Sequence, residues 1–231
     1  MHLEQENQAQ HKRRVRYKGK YPKKFEEKYK ELQPEKYQYT VQHVIRKGNT
    51  PAGMHISIMV KEILDFLQIQ PGETGFDATL GYGGHTKAML ECLHGSGHMY
   101  ATDVDPEESA KTKKRLEELG YGEDILSIRL QNFCTIDEIA KEVGGFDFIL
   151  ADLGVSSMQI DNPKRGFFFK VDGPLDLRLN QEKGISAAER LDTISREGLA
   201  GMLYENSDEP YCEELAKAIT EEIRRGNRID T

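Results

Sequence analysis

The sequence predicts an α/β protein built on a doubly wound parallel sheet. Strand and helix patterns alternate from Met54 onward, in the order βαβαβαβ. A glycine-rich loop directly follows the first predicted strand, and acidic residues follow the second and fourth. In a sheet of this kind, ligands bind outside the carboxyl ends of the strands, where these residues fall.

The first elements follow from the spacing of apolar residues. Residues 54–67 carry them at three- and four-residue steps, which predicts an amphipathic helix. Residues 74–80 form a short segment bounded by glycines after a proline and glycine turn, which predicts the first strand. The glycine loop comes next, and residues 85–93 are predicted to be helical.

The middle elements repeat this pattern. Residues 98–105 are predicted as the second strand and residues 106–120 as a helix with proline in its first turn and glycine past its end. Asp105 is interpreted as the N-cap of that helix. A third strand at 126–133 and a helix at 135–145 follow, and the nearly continuous apolar run 146–154 predicts a buried fourth strand.

The alternation ends at Gly154. Residues 154–184, the long loop, are rich in Gly, Pro and Asp and too long for a simple connection, which favours a functional role. Helices predicted at 186–194, 195–205 and 210–225 form a small helical unit. The predicted organisation is a basic extension (1–50), the first part of a Rossmann-like domain (51–155), and the loop with a helical insertion (156–231).

Charge is distributed unevenly along the 231 residues. Residues 1–50 hold 13 Lys and Arg against 6 Glu, a balance of +7, whereas the rest hold 19 basic and 33 acidic residues, a balance of −14. Lysines interleaved with tyrosines predict an arm that pairs with phosphates and stacks on bases. A solvated extension that improves solubility explains the arm equally well.

Cysteine content and hydropathy restrict the class of protein. The three cysteines are scattered without a CxxC pair, so neither a zinc site nor a disulfide framework is expected, and no metal cluster stands out. No apolar run reaches the roughly 18 residues of a membrane span. We therefore expect a cytoplasmic protein without a membrane partner.

The glycine loop and the end of the second strand together predict a nucleoside site. Gly81, Gly83 and Gly84 allow a close approach to a ligand at a helix N-terminus, although their spacing is not GxGxxG. Asp103, roughly twenty residues further on, is placed to accept both ribose hydroxyls of an adenosine-containing cofactor. A dinucleotide and S-adenosylmethionine both fit at this point.

Two further positions follow strand ends. Phe133 is placed where an adenine ring could stack, and a core position is an equal alternative. Asp152 ends the apolar fourth strand, where a carboxylate faces the ligand crevice unless it caps a turn. His85 in the glycine loop is a candidate contact to the cofactor.

Aromatic and charged residues of the long loop predict contacts to a splayed nucleotide. Anchoring of the three phenylalanines on the body of the protein is the alternative. The candidate substrate-binding residues are Arg165, Phe167, Asp176 and Arg178.

The order of several strings resembles a known family. MHISIMVKEIL, DATLGYGGHT, DVDP, NF, DLGVSSMQID, RGFFF and DGPLDLRL occur in one order over residues 54–231. This resembles the small-subunit ribosomal RNA methyltransferase H family, which methylates the N4 amine of a cytidine in 16S rRNA. DLGVSS and DGPLDLRL are far more specific than the glycine loop.

The resemblance implies a class I methyltransferase fold with S-adenosylmethionine as cofactor and the 16S rRNA of the small ribosomal subunit as partner. It leaves the oligomeric state open, with a homodimer among the alternatives. Asp152 is the candidate proton acceptor for the amine. The cofactor contacts implied by the matching motifs are Gly83, Gly84, His85, Asp103, Phe133, Asp152 and Gln159.

Departures from the family pattern concern mainly the substrate face. Met158, Phe168 and the string SDEPY at 207–211 replace the usual residues, which fits a divergent second copy. The family pattern continues past residue 231 into further strands, so the sheet is expected to be incomplete. Two other functions stay open: an NAD-dependent oxidoreductase, and a noncatalytic RNA-binding paralogue that relies on the basic arm.

Overall fold

A computed structural model describes residues 57–170 and 172–231, together with Tyr39. The predicted basic arm therefore lies outside the described residues, apart from Tyr39, as does the start of the helix predicted from residue 54.

The described residues form a four-stranded, wholly parallel sheet in the order β3-β2-β1-β4. The chain passes from β1 through β2 to β3 on one side and then returns to place β4 on the other side of β1. The switch point lies between β1 and β4, as in doubly wound sheets. The predicted fold class is confirmed. The strands are β1 (Thr74–Asp77), β2 (His98–Asp103), β3 (Leu126–Leu130) and β4 (Phe148–Leu150).

Eight α-helices occur in the described part of the chain, and two short 3₁₀ turns at Phe133–Thr135 and Pro163–Arg165 accompany them. All the helices predicted from periodicity are present, with ends shifted by a few residues. They are α1 (Val60–Leu67), α2 (Gly84–Leu93), α3 (Pro106–Glu118), α4 (Ile136–Val143), α5 (Ser157–Asp161), α6 (Ala187–Thr193), α7 (Arg196–Ser207) and α8 (Cys212–Arg224).

Core packing covers both faces of the sheet. Met99 and Ala101 of β2 are fully buried on one face, in a cluster that includes Met89 of α2. Tyr100 of the same strand points to the other face, where Phe76 packs with Ile139 of α4. Alternation along β2 thus contributes side chains to two cores, one on each face of the sheet.

The fourth strand differs from its prediction. It spans only Phe148–Leu150 instead of 146–154, and Ile149 is 52% exposed. Among the described residues β4 pairs with β1 alone, so one of its edges has no neighbouring strand. The expectation of a fully buried strand was wrong at Ile149 for that reason.

The long loop contains structure that was not predicted. Helix α5 begins with a capping box: Ser156 Oγ accepts from Gln159 N at 3.1 Å, and Gln159 Oε1 accepts from Ser156 N at 2.9 Å. The Ser-x-x-Gln pattern that produces this box is visible in the sequence.

The helical unit has its own small core. Leu199 and Ala200 of α7 pack on Ala216 of α8, with Ile194 after α6 closing one side. Helix α6 begins with a second capping box, formed by Ser186 and Glu189. In the part of the chain that the structure describes, no helix is long and apolar enough to cross a membrane.

Candidate active site

A cleft of about 340 Å³ opens at the carboxyl ends of the strands, beside the switch point between β1 and β4. Its volume falls within the range of roughly 300–1,000 Å³ common for small-molecule sites. Its walls come from the glycine loop, the ends of β2 and β3, and the residues after β4. Of the predicted cofactor contacts, those that line it are Gly84, His85, Asp103, Phe133, Asp152 and Gln159.

The glycine loop depends on two positions without side chains. Gly83 is the N-cap of α2 with φ 71°, in the left-handed region, and a Cβ there would lie 2.8 Å from Thr112 Cγ2. A Cβ on Gly84 would overlap Ser57 Oγ. Gly83 supports the loop from behind without lining the cleft, whereas Gly84 forms part of the wall.

Asp103 accepts a backbone amide with each of its oxygens, and one of these amides belongs to the glycine loop. Gly81 N donates to its Oδ2 at 2.7 Å, and Asp105 N donates to its Oδ1 at 2.9 Å. Thr112 Oγ1 donates to the Gly81 carbonyl at 2.6 Å from the side of α3. Because each carboxylate oxygen has further lone pairs, Asp103 can still accept hydroxyl groups from the cleft.

Asp77 connects β1, α2 and the residues after β4, and the sequence prediction missed it. Its carboxyl is 1% exposed and accepts from Thr86 Oγ1 at 2.6 Å and from Thr79 N at 3.0 Å. Thr79 Oγ1 in turn accepts from Asp152 N at 2.9 Å. Burial raises the pKa of Asp77, although these hydrogen bonds oppose the rise. The signal that selected Asp152, an acid ending an apolar strand, applies equally to Asp77.

Asp152 and His85 face each other across the cleft floor. Asp152 Oδ2 lies 3.5 Å from His85 Nε2, and the exposed fractions of the two side chains are 36% and 8%. His85 Nε2 is buried and has no hydrogen-bond partner. The structure thus places a solvent-accessible carboxylate in front of a buried imidazole.

Phe133 lies at the cleft wall with 41% of its surface exposed, so the alternative of a core position was wrong. Its neighbour Asn132 also lines the cleft and holds the chain, because its Oδ1 accepts from Cys134 N at 2.9 Å. An exposed ring held on a short turn can stack on a planar ligand.

Asp105 is confirmed as the N-cap of α3, since its Oδ1 accepts from Glu107 N at 3.1 Å and from Glu108 N at 3.2 Å. Its Oδ2 accepts from Gln159 Nε2 at 3.0 Å and pairs with Arg165 Nη2 at 2.7 Å. One fully buried carboxylate therefore joins the cofactor side of the cleft to the long loop.

The candidate substrate-binding residues are not brought together in the cleft. Arg165 is 6% exposed, and besides Asp105 it binds the Leu179 carbonyl at 2.9 Å. Arg178 forms a two-pronged pair with Asp176, at 2.8 and 2.7 Å, which holds the pKa of that carboxyl below its usual value. Arg165 is thus held inside the protein, and Arg178 and Asp176 are joined to each other and do not line the cleft.

The phenylalanines of the long loop divide into two environments. Phe167 and Phe168 are half-buried, whereas Phe169 is 90% exposed with Lys170 Nζ 5.7 Å from its ring centre. Phe167 and Phe168 are therefore partly packed on the protein, as the anchoring alternative expects, whereas Phe169 is not.

Charge is the most selective property of the cleft. Asp103, Asp152 and Glu108 line it, and Glu108 is another residue that the sequence prediction missed. Among the described residues that line the cleft there is no Lys or Arg. Such a surface favours a cationic ligand and disfavours a pyrophosphate.

Comparison with known proteins agrees with the sequence motifs. The model of the MraW methylase family matches residues 52–231. A protein named ribosomal RNA small subunit methyltransferase H 1 from Agathobacter rectalis is 84% identical over 224 residues, which cover 97% of this chain and 64% of that protein. A relative of the same name from Lachnoclostridium phytofermentans is 69% identical and covers 96% of this chain and 60% of its own length.

The chain thus spans less than two thirds of the length of these curated relatives. A solved rRNA methylase from Streptococcus thermophilus overlaps a smaller part, with 28% identity, 37% of this chain and 49% of that chain covered, and a TM-score of 0.32. The matched range and the identities show that this chain belongs to the MraW methylase family.

Proposed function

We propose that the cleft binds S-adenosylmethionine and that the protein transfers its methyl group to the N4 amine of a cytidine in the 16S rRNA of the small ribosomal subunit. The observation that carries this proposal is the acidic cleft at the switch point. S-adenosylmethionine carries a sulfonium and an ammonium group, which the carboxylates of Asp103 and Asp152 complement, whereas Glu108 is already paired with Lys111 at 3.1 Å.

The same observation counts against a dinucleotide. A pyrophosphate needs backbone amides or cationic side chains, and the described residues that line the cleft provide no Lys or Arg. The amide of Gly81, which would face a phosphate in a dinucleotide loop, is already donated to Asp103 at 2.7 Å. The oxidoreductase alternative is therefore disfavoured by charge and by hydrogen bonding.

The adenosine end of the cofactor fits the walls formed after β2 and β3. Asp103 keeps lone pairs for the two ribose hydroxyls although both oxygens already accept amides. Phe133, 41% exposed at the wall, offers a stacking surface for adenine. Gly84 forms part of the cleft wall and has no side chain, which lets Ser57 pack directly against its backbone.

Asp152 is the proposed proton acceptor. An exocyclic amine is a weak nucleophile because its lone pair is delocalised into the ring, so an acceptor for its proton assists attack. The bound cofactor supplies an electrophilic methyl group on sulfur. Asp152 is suited to the role because its carboxylate is partly exposed to the cleft while its backbone is held by Thr79 at 2.9 Å. Alignment of the amine with the methyl group contributes the larger share of the rate.

For the nucleic acid we propose that Phe169 contacts an unpaired base, since it is exposed and accompanied by Lys170. Arg165, Asp176 and Arg178 support that surface through the pairs described above instead of contacting RNA directly. Phe167 remains a candidate contact at the edge of the same surface.

Cofactor binding is the first test, by calorimetry on this chain and on a chimera that adds the remaining part of the Agathobacter rectalis relative. We expect Asp103→Ala to weaken S-adenosylmethionine binding by about 100-fold or more, because the ribose acceptor is lost together with the acceptors for the Gly81 and Asp105 amides. Glu118→Ala is the matched control: that carboxylate lies on the exposed side of α3, 67% accessible, and its loss leaves affinity unchanged.

Position of the methyl group is the second test. Small ribosomal subunits incubated with the chimera and labelled cofactor are digested to nucleosides, and mass spectrometry locates the label. Label on cytidine N4 supports the proposal. Label on a ring carbon or a ribose oxygen would instead show that the protein methylates a different atom. Asp152→Asn is expected to lower kcat by about 100-fold, a larger factor than the accompanying loss of cofactor affinity, and equal losses in the two would make Asp152 a cofactor contact only.

The alternatives are decided by the same samples. Binding of NADH in preference to S-adenosylmethionine would restore the oxidoreductase. Tight RNA binding that disappears on removing residues 1–50, with no cofactor bound by either protein, would identify a noncatalytic RNA-binding paralogue.

A further inference from the structure

His85 Nε2 is an exception within the described residues, because it is the one buried side-chain nitrogen or oxygen without a hydrogen-bond partner. The residue is 7% exposed and lies at the start of α2, with its ring directed into the wall of the cleft. Buried polar atoms nearly always have a partner, so an unpaired one points to a partner acquired in another state of the protein.

Asp152 provides an acceptor close to His85 Nε2. Its Oδ2 lies 3.5 Å from Nε2, which is beyond a good hydrogen bond and close enough for a small side-chain rotation to complete one. Asp152 N donates to Thr79 Oγ1 at 2.9 Å, so the carboxylate can turn while its backbone stays in place. Thr86, next to His85, is tied to Asp77 at 2.6 Å, which fixes the imidazole's backbone as well.

Asp152 and His85 differ in how deeply they are buried, and this difference suits them to different roles. Asp152 is 36% exposed and meets the cleft, whereas the His85 side chain is 8% exposed and lies behind it. The imidazole therefore lies in the wall of the cleft, behind the carboxylate that faces the ligand.

We propose that His85 is the positioning residue of Asp152: its Nε2–H donates to Asp152 Oδ2 and turns the second carboxylate oxygen toward the substrate amine. This rests on the proposed function. In the transfer, the amine nitrogen forms its bond to the methyl carbon and the sulfur keeps the electron pair of the broken C–S bond. The proton leaves nitrogen for the free oxygen of Asp152, and His85 neither gains nor loses a proton.

Two substitutions at His85 distinguish the effect of its hydrogen-bond donor from the effect of its side-chain volume. In His85→Gln the amide nitrogen comes close to the position of Nε2, and in His85→Leu the volume stays similar but the donor is lost. We expect His85→Leu in the chimera to lower kcat by about 10- to 100-fold, with cofactor Kd and RNA KM changed by less than about threefold. His85→Gln should recover most of that loss.

A double variant tests whether His85 acts through Asp152. If it does, His85→Leu combined with Asp152→Asn is no slower than Asp152→Asn alone. Multiplying losses would overturn the proposal. A fall in cofactor affinity that accounts for the whole loss in kcat/KM of His85→Leu would also overturn it, and would make His85 a cofactor contact only.

A measurement without turnover keeps this inference separate from the proposed function. In ¹⁵N-histidine-labelled protein, the His85 nitrogens should report a proton on Nε2, and this preference should disappear in Asp152→Ala. His98 is the internal control, because its nitrogens contact the Asp124 carbonyl at 3.2 Å and Ser127 Oγ at 2.9 Å and should not respond. A proton on Nδ1 of His85 in the unsubstituted protein, or no response to Asp152→Ala, would refute the pairing. Absence of methyl transfer with a normal Nε2 signal would refute the proposed function alone.

Discussion

The glycine loop and the long loop both line the cleft, yet they are held in different ways. Backbone groups of the glycine loop are bound by Asp103 and Thr112, and its Leu80 N donates to the Thr102 carbonyl of β2 at 2.9 Å. The long loop is joined to the same body by side chains, with Arg165 and Gln159 meeting at Asp105. One wall of the cleft, the glycine loop, is thus held by hydrogen bonds to its backbone. The other wall, the long loop, depends on the buried carboxylate of Asp105.

The difference has a consequence for sequence change. A backbone-held loop tolerates few substitutions in its glycines and many in its neighbours, since most of its bonds need no particular side chain. A loop fixed by an ion pair fails when one partner is lost, because the remaining charge stays buried.

Arg165→Met should have the largest effect. The substitution keeps a long side chain but leaves Asp105, which is 0% exposed, without its cation, and breaking a buried pair in this way costs about 3–5 kcal/mol. Urea denaturation gives the change in the free energy of unfolding. Arg196→Met is the matched control, since that arginine is 41% exposed and lies 3.4 Å from Glu213; its loss should cost below about 1 kcal/mol. Equal costs for the two variants would show that the ion pair does not hold the long loop.

Truncation of one leucine in each core comes next. Leu93 belongs to the core on the α2 face of the sheet and Leu199 to the core of the helical unit, and each is 2% exposed. Each change to Ala should cost about 2–5 kcal/mol through lost contacts and a cavity. Hydrogen exchange should show Leu93→Ala loosening the sheet and the cofactor wall, and Leu199→Ala loosening α7 and α8 alone. The same protected amides lost in both variants would contradict two separately packed regions.

Particular residues show which parts of this fold the sequence could predict. Helices and strands followed from local periodicity and caps, and Asp105 was recognised as an N-cap because its proline neighbour is adjacent in sequence. The partner of Arg165 could not be predicted, because its carboxylate lies in a different predicted domain and an arginine in a loop equally suits RNA. The exposure of Ile149 depended on the neighbours of β4, which a continuous apolar run does not specify.

The candidate site shows the same division. Asp103, Phe133 and Asp152 were placed at the cleft because parallel strands bring their carboxyl ends to one edge of the sheet. Glu108 was missed because it enters the cleft from the first turn of α3, where acidic residues are common for electrostatic reasons alone. Asp77 carries a usable signal, an acid at the end of a buried strand, and its role in holding Thr79 and Thr86 depends on side-chain contacts.

The dependence of stability on pH should have opposite signs for one carboxyl in each region. Burial raises the pKa of Asp77 above its ordinary value of 3.8, so between that value and the folded pKa the folded protein binds more protons than the unfolded chain. Its contribution to the free energy of unfolding therefore falls as pH rises through this window. Asp77→Asn should remove this fall, at a cost of about 1 kcal/mol for a hydrogen bond that the amide cannot accept.

Asp176 behaves in the other direction. Arg178 holds its pKa below 3.8, so its stabilising contribution is present above that value and is lost as pH falls through the folded pKa. Subtracting the stability–pH curve of Asp176→Asn from that of the unsubstituted protein should isolate this acid-side loss. Difference curves of the same sign for Asp77 and Asp176 would contradict the contrast between the two regions.

Phe169→Ala should have the smallest effect on stability. The ring is 90% exposed, so its removal should change the free energy of unfolding by less than about 0.5 kcal/mol. If the ring stacks on an unpaired base, the same variant should weaken binding of a short single-stranded RNA by about 1–3 kcal/mol, measured by fluorescence anisotropy at fixed salt. Phe66→Ala is the control, because that ring on α1 is 85% exposed and is not among the residues that line the cleft. Equal RNA affinities for the two variants would remove the long loop from the RNA surface and leave the cleft wall as its only assigned task.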